Sequence, residues 1–134
     1  MLLSLSIRHF VIVDTLELDF CSGFTVLTGE TGAGKSIILD ALGLLLGGRG
    51  DGSLVRHGEE RAELAATFDL QAVPELARQL ADDALVEAGD TELLIRRVID
   101  ASGRSRCWLN GRSATLAQLK DIGEALVDIH GQHA

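Results

Sequence analysis

The feature that most constrains this chain is the run Gly29-Glu30-Thr31-Gly32-Ala33-Gly34-Lys35-Ser36. It fits G-x-x-x-x-G-K-[ST] at every fixed position, the pattern of a phosphate-binding loop between a strand and a helix. The flanks agree: Phe24-Thr25-Val26-Leu27-Thr28 before it is β-prone, and Ile37 to Leu46 after it is apolar and of helix length. Gly29, Gly32 and Gly34 carry no Cβ, so the main chain can approach a ligand closely. The loop amides can then converge on phosphate oxygens, and the following helix turns its positive end toward the same point. Lys35 brings a mobile ammonium to the outer phosphates, and the Ser36 hydroxyl suits Mg²⁺. The residues from Gly29 to Ser36, Glu30, Thr31 and Ala33 included, are therefore the expected nucleotide site. A Gly-rich turn with an exposed lysine is the alternative. A random match to the whole pattern in a chain of this size has odds on the order of 1% or less.

Composition bounds the rest. At 134 residues the chain suits one domain. Apolar residues make up 46%, enough for a sizeable core, and aromatics only 4%, so aliphatic side chains must fill it. The net charge of −8 argues against nonspecific nucleic-acid binding by the chain as a whole. The charge is unevenly placed. Between Gly58 and Ile95 ten acidic residues face only Arg61 and Arg78, whereas from Arg96 to Lys120 six basic residues face only Asp100. The basic stretch is either a solvated hairpin face or a surface for phosphates or a partner. Cys21 and Cys107 are too few and too far apart for a metal framework and read as reduced packing residues. No secretory signal is visible, and no apolar run reaches the ~18 residues of a membrane span. The expected compartment is the cytoplasm.

Taken in order, Leu3 to Phe10 alternates as a strand. Val11 to Phe20 alternates again, with a phase shift at Asp14-Thr15 that suggests a turn or bulge. The helix after Lys35 is apolar nearly all round and should be central and covered; Gly47-Gly48 should end it. Arg49-Gly50-Asp51 reads as a loop rather than an adhesion tripeptide. Arg61 to Leu70 alternates into a strand with Ala62, Leu64, Ala66, Phe68 and Leu70 on one face. Pro74 suits the first turn of a helix. Glu92 to Asp100 and Arg104 to Leu109 form a hairpin, and Asn110-Gly111 is a tight turn. Thr115 with Gln118 resembles a capping box opening a helix to about Gly123. Ala125 to Ile129 reads as a last short strand. The fold class is α/β: a mixed sheet around a central phosphate-loop helix, with one parallel βα unit among antiparallel strands.

Ile7-Arg8-His9-Phe10 followed by Phe24 through Leu42 resembles the ATPase heads of the SMC and ATP-binding-cassette group. Leu44 to Arg49, Ser53 to Gly58, Ser105 to Gly111 and Val127 to His133 are similar to the bacterial RecN family. The likeness covers essentially all 134 residues. It implies the N-terminal half of an SMC-like repair ATPase head that binds ATP and Mg²⁺ and acts on DNA double-strand breaks or ends. It implies a cytoplasmic, nucleoid-associated protein that pairs with the C-terminal half of its own head and, as a homodimer, with a second head. By that resemblance Gln132 falls at the Q-loop glutamine that helps hold Mg²⁺ and the attacking water. Arg8 falls near the phosphates, and Arg56 faces the partner head. Each has a plain rival as an ordinary surface or strand-end residue. His130 and His133 could imitate metal ligands, but only Asp128 lies nearby.

The chain departs from the family pattern in lacking an hhhhDE Walker B element, an LSGG signature and a coiled coil. These are expected beyond Ala134, so hydrolysis should need the other half of the head. One alternative is a module in which ATP chiefly joins two heads around DNA. Another is a different phosphate-loop protein such as a small nucleotide kinase, whose acceptor arginines the Arg96–Arg112 hairpin could imitate; a GTPase would want an N-K-x-D motif, which the chain lacks. Reversing the charge of Arg104 and Arg106 should weaken any DNA contact.

Overall fold

The computed structural model of the chain describes residues 2–20 and 32–130. Its frame is a six-stranded sheet in the order β2-β1-β3-β4-β5-β6. The strands are β1 (Leu2–Phe10), β2 (Val13–Asp19), β3 (Arg61–Asp69), β4 (Glu92–Asp100), β5 (Ser105–Leu109) and β6 (Arg112–Ala114). Among the described residues every strand pairing is antiparallel. The run Phe24 to Thr28, expected to be the parallel strand of the nucleotide unit, lies outside the described residues, as does Cys21.

Period-two patterning puts one face of this sheet in the core. Leu5 and Ile7 of β1, Leu64 and Ala66 of β3, Ile95 and Ile99 of β4, and Leu109 of β5 are all buried. The registers align them across strands: Ile7 lies opposite Leu64, Ala66 opposite Ile95, and Ile95 opposite Leu109. The opposite face carries Ser4, Ser6 and Arg8, then Glu63, Thr67, Arg96, Arg106 and Trp108, and is open. An antiparallel sheet tolerates one wet face.

Three helices cover the inner face: α1 (Gly32–Leu45), α2 (Pro74–Asp82) and α3 (Leu116–His130). In α1, Ile38, Ala41, Leu44 and Leu45 are buried. Leu39 is 67% exposed, with Asp40 and Gly43 beside it in the open, so the helix is covered on one side rather than all round. Gly47, at φ 99°, ends α1, and the Gly48 amide donates to the Gly43 carbonyl at 2.9 Å, as the paired glycines predicted. Pro74 stands in the first turn of α2, whose Leu76 and Leu80 are buried. The Asn110-Gly111 turn has positive φ at both residues (49° and 83°). It also feeds a short strand, β6, that the sequence reading passed over.

Two expectations are corrected. The Asp14-Thr15 phase shift is not a turn: β2 pairs straight through it, with Thr15 opposite Arg8. The reversal lies three residues earlier, at Val11-Ile12, and beside it His9 and Val11 take φ of 54° and 56°. A left-handed β-branched residue is costly, of order 1–3 kcal/mol. It is held by the Val11 amide donating to the Leu54 carbonyl and the Arg56 amide donating to the His9 carbonyl, both at 2.8 Å.

The second correction concerns the last element. Ala125 to Ile129 is not a strand; α3 runs unbroken from Leu116 to His130. The capping box opens it as expected: the Thr115 amide donates to Gln118 Oε1 (2.9 Å) and the Gln118 amide to Thr115 Oγ1 (3.0 Å). Leu119, Ile122 and Leu126 then recur on one buried face. Gly123 looked like a terminus but is a contact: a Cβ there would lie 2.8 Å from the Leu46 carbonyl oxygen and 2.8 Å from Leu46 Cβ. We expect Gly123→Ala to destabilise the protein by about 1–3 kcal/mol, although alanine favours an isolated helix by about 1 kcal/mol. A raised melting temperature in that variant would refute the close crossing of α3 over the end of α1.

Candidate functional site

The first turn of α1 is the structural counterpart of the glycine-rich loop. The helix begins at Gly32, inside the run, and its first turn carries no acidic residue. A helix N-terminus presents amides without intrahelical partners and a positive potential. Ser36 follows and is exposed. Gly29, Glu30 and Thr31 lie outside the described residues, as do Gln132 and the side chains of Ala33 and Lys35. An exposed hydroxyl beside an amide-rich, carboxylate-free helix start suits Mg²⁺ held largely through phosphate oxygens and water. Among the described residues no group of three or more His, Cys, Asp and Glu side chains could hold a metal by itself.

Arg8, expected from resemblance near the phosphates, lies on the outer face of β1, while the loop residues Gly29 to Thr31 lie outside the described residues. Its neighbour Ile7 is fully buried on the inner face, and Arg8 is exposed on the other. α1 packs on the inner face, against β3 and β4. Arg56 is half-buried and its segment is stitched to the end of β1, where Phe10 bridges Val55. His9 sits at the same corner, with Nε2 3.4 Å from Asp14 and Nδ1 3.5 Å from Glu59.

At the other end of α1 lies a residue that the sequence reading misplaced. Arg97 was counted in the basic stretch, but it is 1% exposed. Its Nη1 donates to the Leu44 carbonyl (2.7 Å) and the Gly48 carbonyl (2.6 Å), and its Nη2 donates to Ser105 Oγ (3.0 Å). A cation at a helix C-terminus opposes the negative end of the dipole, and here it also satisfies orphan carbonyls. Burial lowers its pKa from the ordinary guanidinium value, and neighbouring Cys107 acts in the opposite sense. Burial likewise pushes the Cys107 thiol up, which keeps it an inert packing group, as expected. The one sequence hint was register: Arg97 occupies the inward phase of β4, between Ile95 and Ile99.

The rest of the basic stretch divides by role. Arg112 donates to the Ala84 carbonyl and pairs with Glu87. Arg96 pairs with Glu63 at 3.3 Å and lies 4.7 Å over the Trp108 ring. Asp100 pins the β4–β5 turn, accepting from the Ser102 hydroxyl (2.6 Å) and from the Ser102 and Arg104 amides (2.9 and 3.0 Å). Arg104 and Arg106 remain on the outer side.

Comparison with known proteins follows the same lines. Residues 4–83 match the family described as an AAA domain. The chain is 51% identical over 134 residues to the DNA repair protein RecN of Halalkalibacterium halodurans, covering 99% of this chain and 23% of that protein. It is 48% identical over 134 residues to the DNA repair protein RecN of Vibrio cholerae, covering 100% of this chain and 24% of that protein. The chain thus spans about a quarter of the length of these relatives. A structure solved in work on ATP-driven dimerization and DNA-stimulated activation of SMC ATPases is 29% identical, with a TM-score of 0.67 over 92% of this chain and 78% of that one.

Two outcomes test the roles of Arg97 and Asp100. Arg97→Leu should cost on the order of 2–4 kcal/mol, because it removes charged hydrogen bonds to two carbonyls at the end of α1; a thermal midpoint equal to wild type would refute the clamp. The Asp100 pKa is held below 3.8, first by the Ser102 hydroxyl and then by the Arg104 amide. Its stabilising effect is therefore present above 3.8 and lost as pH falls through the lower folded value. Amide shifts of Ser102 and Arg104 should titrate with a midpoint below 3.8.

Proposed function

Because the chain belongs to the AAA-domain family and is RecN-like along its whole length, we propose that it is the ATP-binding part of an SMC-like ATPase that serves DNA double-strand break repair. The observation that carries this reading is an anion-ready start of α1 lying within a complete phosphate-loop sequence. The likeness to an SMC ATPase structure supports the same assignment.

In this reading the amides from Gly29 to Gly34 cradle the phosphates, and Lys35 neutralises charge on the outer ones. Water would attack the γ-phosphorus in line with the leaving oxygen. Lys35 and the loop amides would then stabilise the charge spread over the transferring group. Ser36 and Gln132 would hold Mg²⁺, which supplies charge neutralisation between the outer phosphates. The remaining groups would come from the C-terminal half of the head and from a second head, since the chain has neither a Walker B element nor a signature motif. Arg8, on the outer sheet face, is assigned an outlying position near this site, and Arg56 a place toward a second head.

A second reading makes ATP chiefly the link between two heads that close on DNA. The exposed apolar side of α1 at Leu39 favours a covering surface near the nucleotide. The solved SMC ATPase is one studied for ATP-driven dimerization.

Lys35→Ala in the complete protein should weaken ATP binding by roughly 10- to 150-fold for each charge-assisted bond lost. Arg8→Ala should change it far less. Unchanged ATP turnover in Lys35→Ala would overturn the assignment. Sedimentation with ATP and with a non-hydrolysable analogue tests the head-pairing reading; equal monomer fractions with and without nucleotide would sink it.

A further inference from the structure

The open face of the sheet is electrically divided. At the β1–β2 end a depression of about 700 Å³ is lined by Glu17, Asp19 and Glu92. At the β4–β5 end a second depression, of about 430 Å³, is lined by Arg61, Arg96, Arg104, Arg106 and Trp108. Three carboxylates also reach this second site: Glu60, Glu63 and Asp100. Glu60 lies 3.8 Å from Arg61, Glu63 pairs with Arg96, and Asp100 is engaged in its turn. Among the described residues neither Arg104 nor Arg106 is within salt-bridge distance of a carboxylate. Two guanidiniums held in no salt bridge among the described residues, Arg104 feeling the Asp100 charge at longer range, therefore stand beside the only tryptophan of the chain.

Trp108 is half-buried on this open face, opposite Arg96 in the ladder, with the Arg96 guanidinium stacked on its ring. A large aromatic on a wet sheet face contributes little to the core. Stacked under a guanidinium, it forms a flat platform of the kind on which an unpaired base can lie. Duplex DNA offers no free base face except at its ends. A platform next to phosphate-binding cations therefore selects an unpaired strand. The acidic far end of the same face repels a polyanion and limits the contact to the β4–β5 side. Asp100 fixes the turn that carries Arg104, so one of the two cations is pre-positioned.

We propose that the outer face of β4–β5 is a binding site for single-stranded DNA: Arg104 and Arg106 contact phosphates, and a base stacks on the Arg96–Trp108 pair. The site deepens the DNA-repair reading above and rests on it. An acidic protein segment is the competing occupant, since it would use the same arginines but gain nothing specific from the stacking platform.

The test uses the complete protein, a fluorescent oligo-dT strand, a blunt duplex with hairpin-closed ends, and a poly-glutamate peptide. Trp108→Leu should weaken oligo-dT binding by roughly five- to hundredfold. Trp108→Phe should restore most of it, and the closed duplex should respond far less to either change. Replacing Arg104 and Arg106 by alanine should lower the salt slope by about 1.4, two phosphates at about 0.7 each. Equal melting temperatures for the variants and wild type check the fold. Oligo-dT affinity unchanged in Trp108→Leu would overturn the site. Equal losses for the closed duplex would overturn its single-strand character, and arginine-dependent binding of poly-glutamate without oligo-dT binding would hand the patch to a protein partner. ATP uptake by the wild-type protein in the same preparations separates the readings: uptake without oligo-dT binding defeats this site alone, and loss of both defeats the parent reading too.

Discussion

The buried guanidinium of Arg97 is the contact on which the rest of this structure depends. It sits where α1, β4 and β5 meet, and its hydrogens reach a helix terminus and a strand hydroxyl at once. Without it the Leu44 carbonyl would keep only its 3.2 Å bond from the Gly47 amide, and the Gly48 carbonyl would lose its charged donor. A buried cation with no carboxylate partner is ordinarily costly. Here the end of the helix dipole and two carbonyls replace the missing counter-charge. The fork geometry of arginine is what allows one side chain to serve both, which a lysine ammonium could not do in the same way.

That joint ties the two chemically interesting ends of the molecule together. The start of α1 lies within the phosphate-loop sequence, the proposed nucleotide site. The end of α1 is locked to β4 and β5, whose outer faces carry Arg96, Arg106 and Trp108. The helix is thus a strut of about four turns between the proposed nucleotide site and the proposed nucleic-acid site. Gly47 and Gly123 let α3 close over the same junction, since the Gly47 Cβ position would lie 2.6 Å from the Lys120 Cα. The glycines near the end of α1 therefore serve packing as much as chain reversal.

The β1–β2 corner shows how tertiary contacts overrule local preference. Valine at φ 56° is disfavoured by its own side chain. Two main-chain hydrogen bonds from the 54–56 segment, together with the Phe10–Val55 bridge, hold the corner in that conformation. A pattern reader looking for a turn residue finds Asp14 instead, because aspartate suits turns and valine does not.

Local chemistry was legible from the chain alone. The strand alternation of residues 61–70, Pro74 at a helix start, the capping box at Thr115 and the Asn110-Gly111 turn each depend on neighbours within a few residues. The physical causes act at that range: φ restriction, side-chain-to-amide hydrogen bonds, and period-two burial. What tertiary structure alone decided was the meaning of residues whose partners are distant in sequence. Arg97 reads as a surface charge until Leu44 and Gly48, some fifty positions away, are brought to it. Gly123 reads as a helix stop until Leu46 is found against it. The outer face of β4–β5 reads as a uniform basic run until pairing separates the clamped arginines from those outside any ion pair among the described residues. Such roles are set by which backbones come into contact, and no local propensity encodes that.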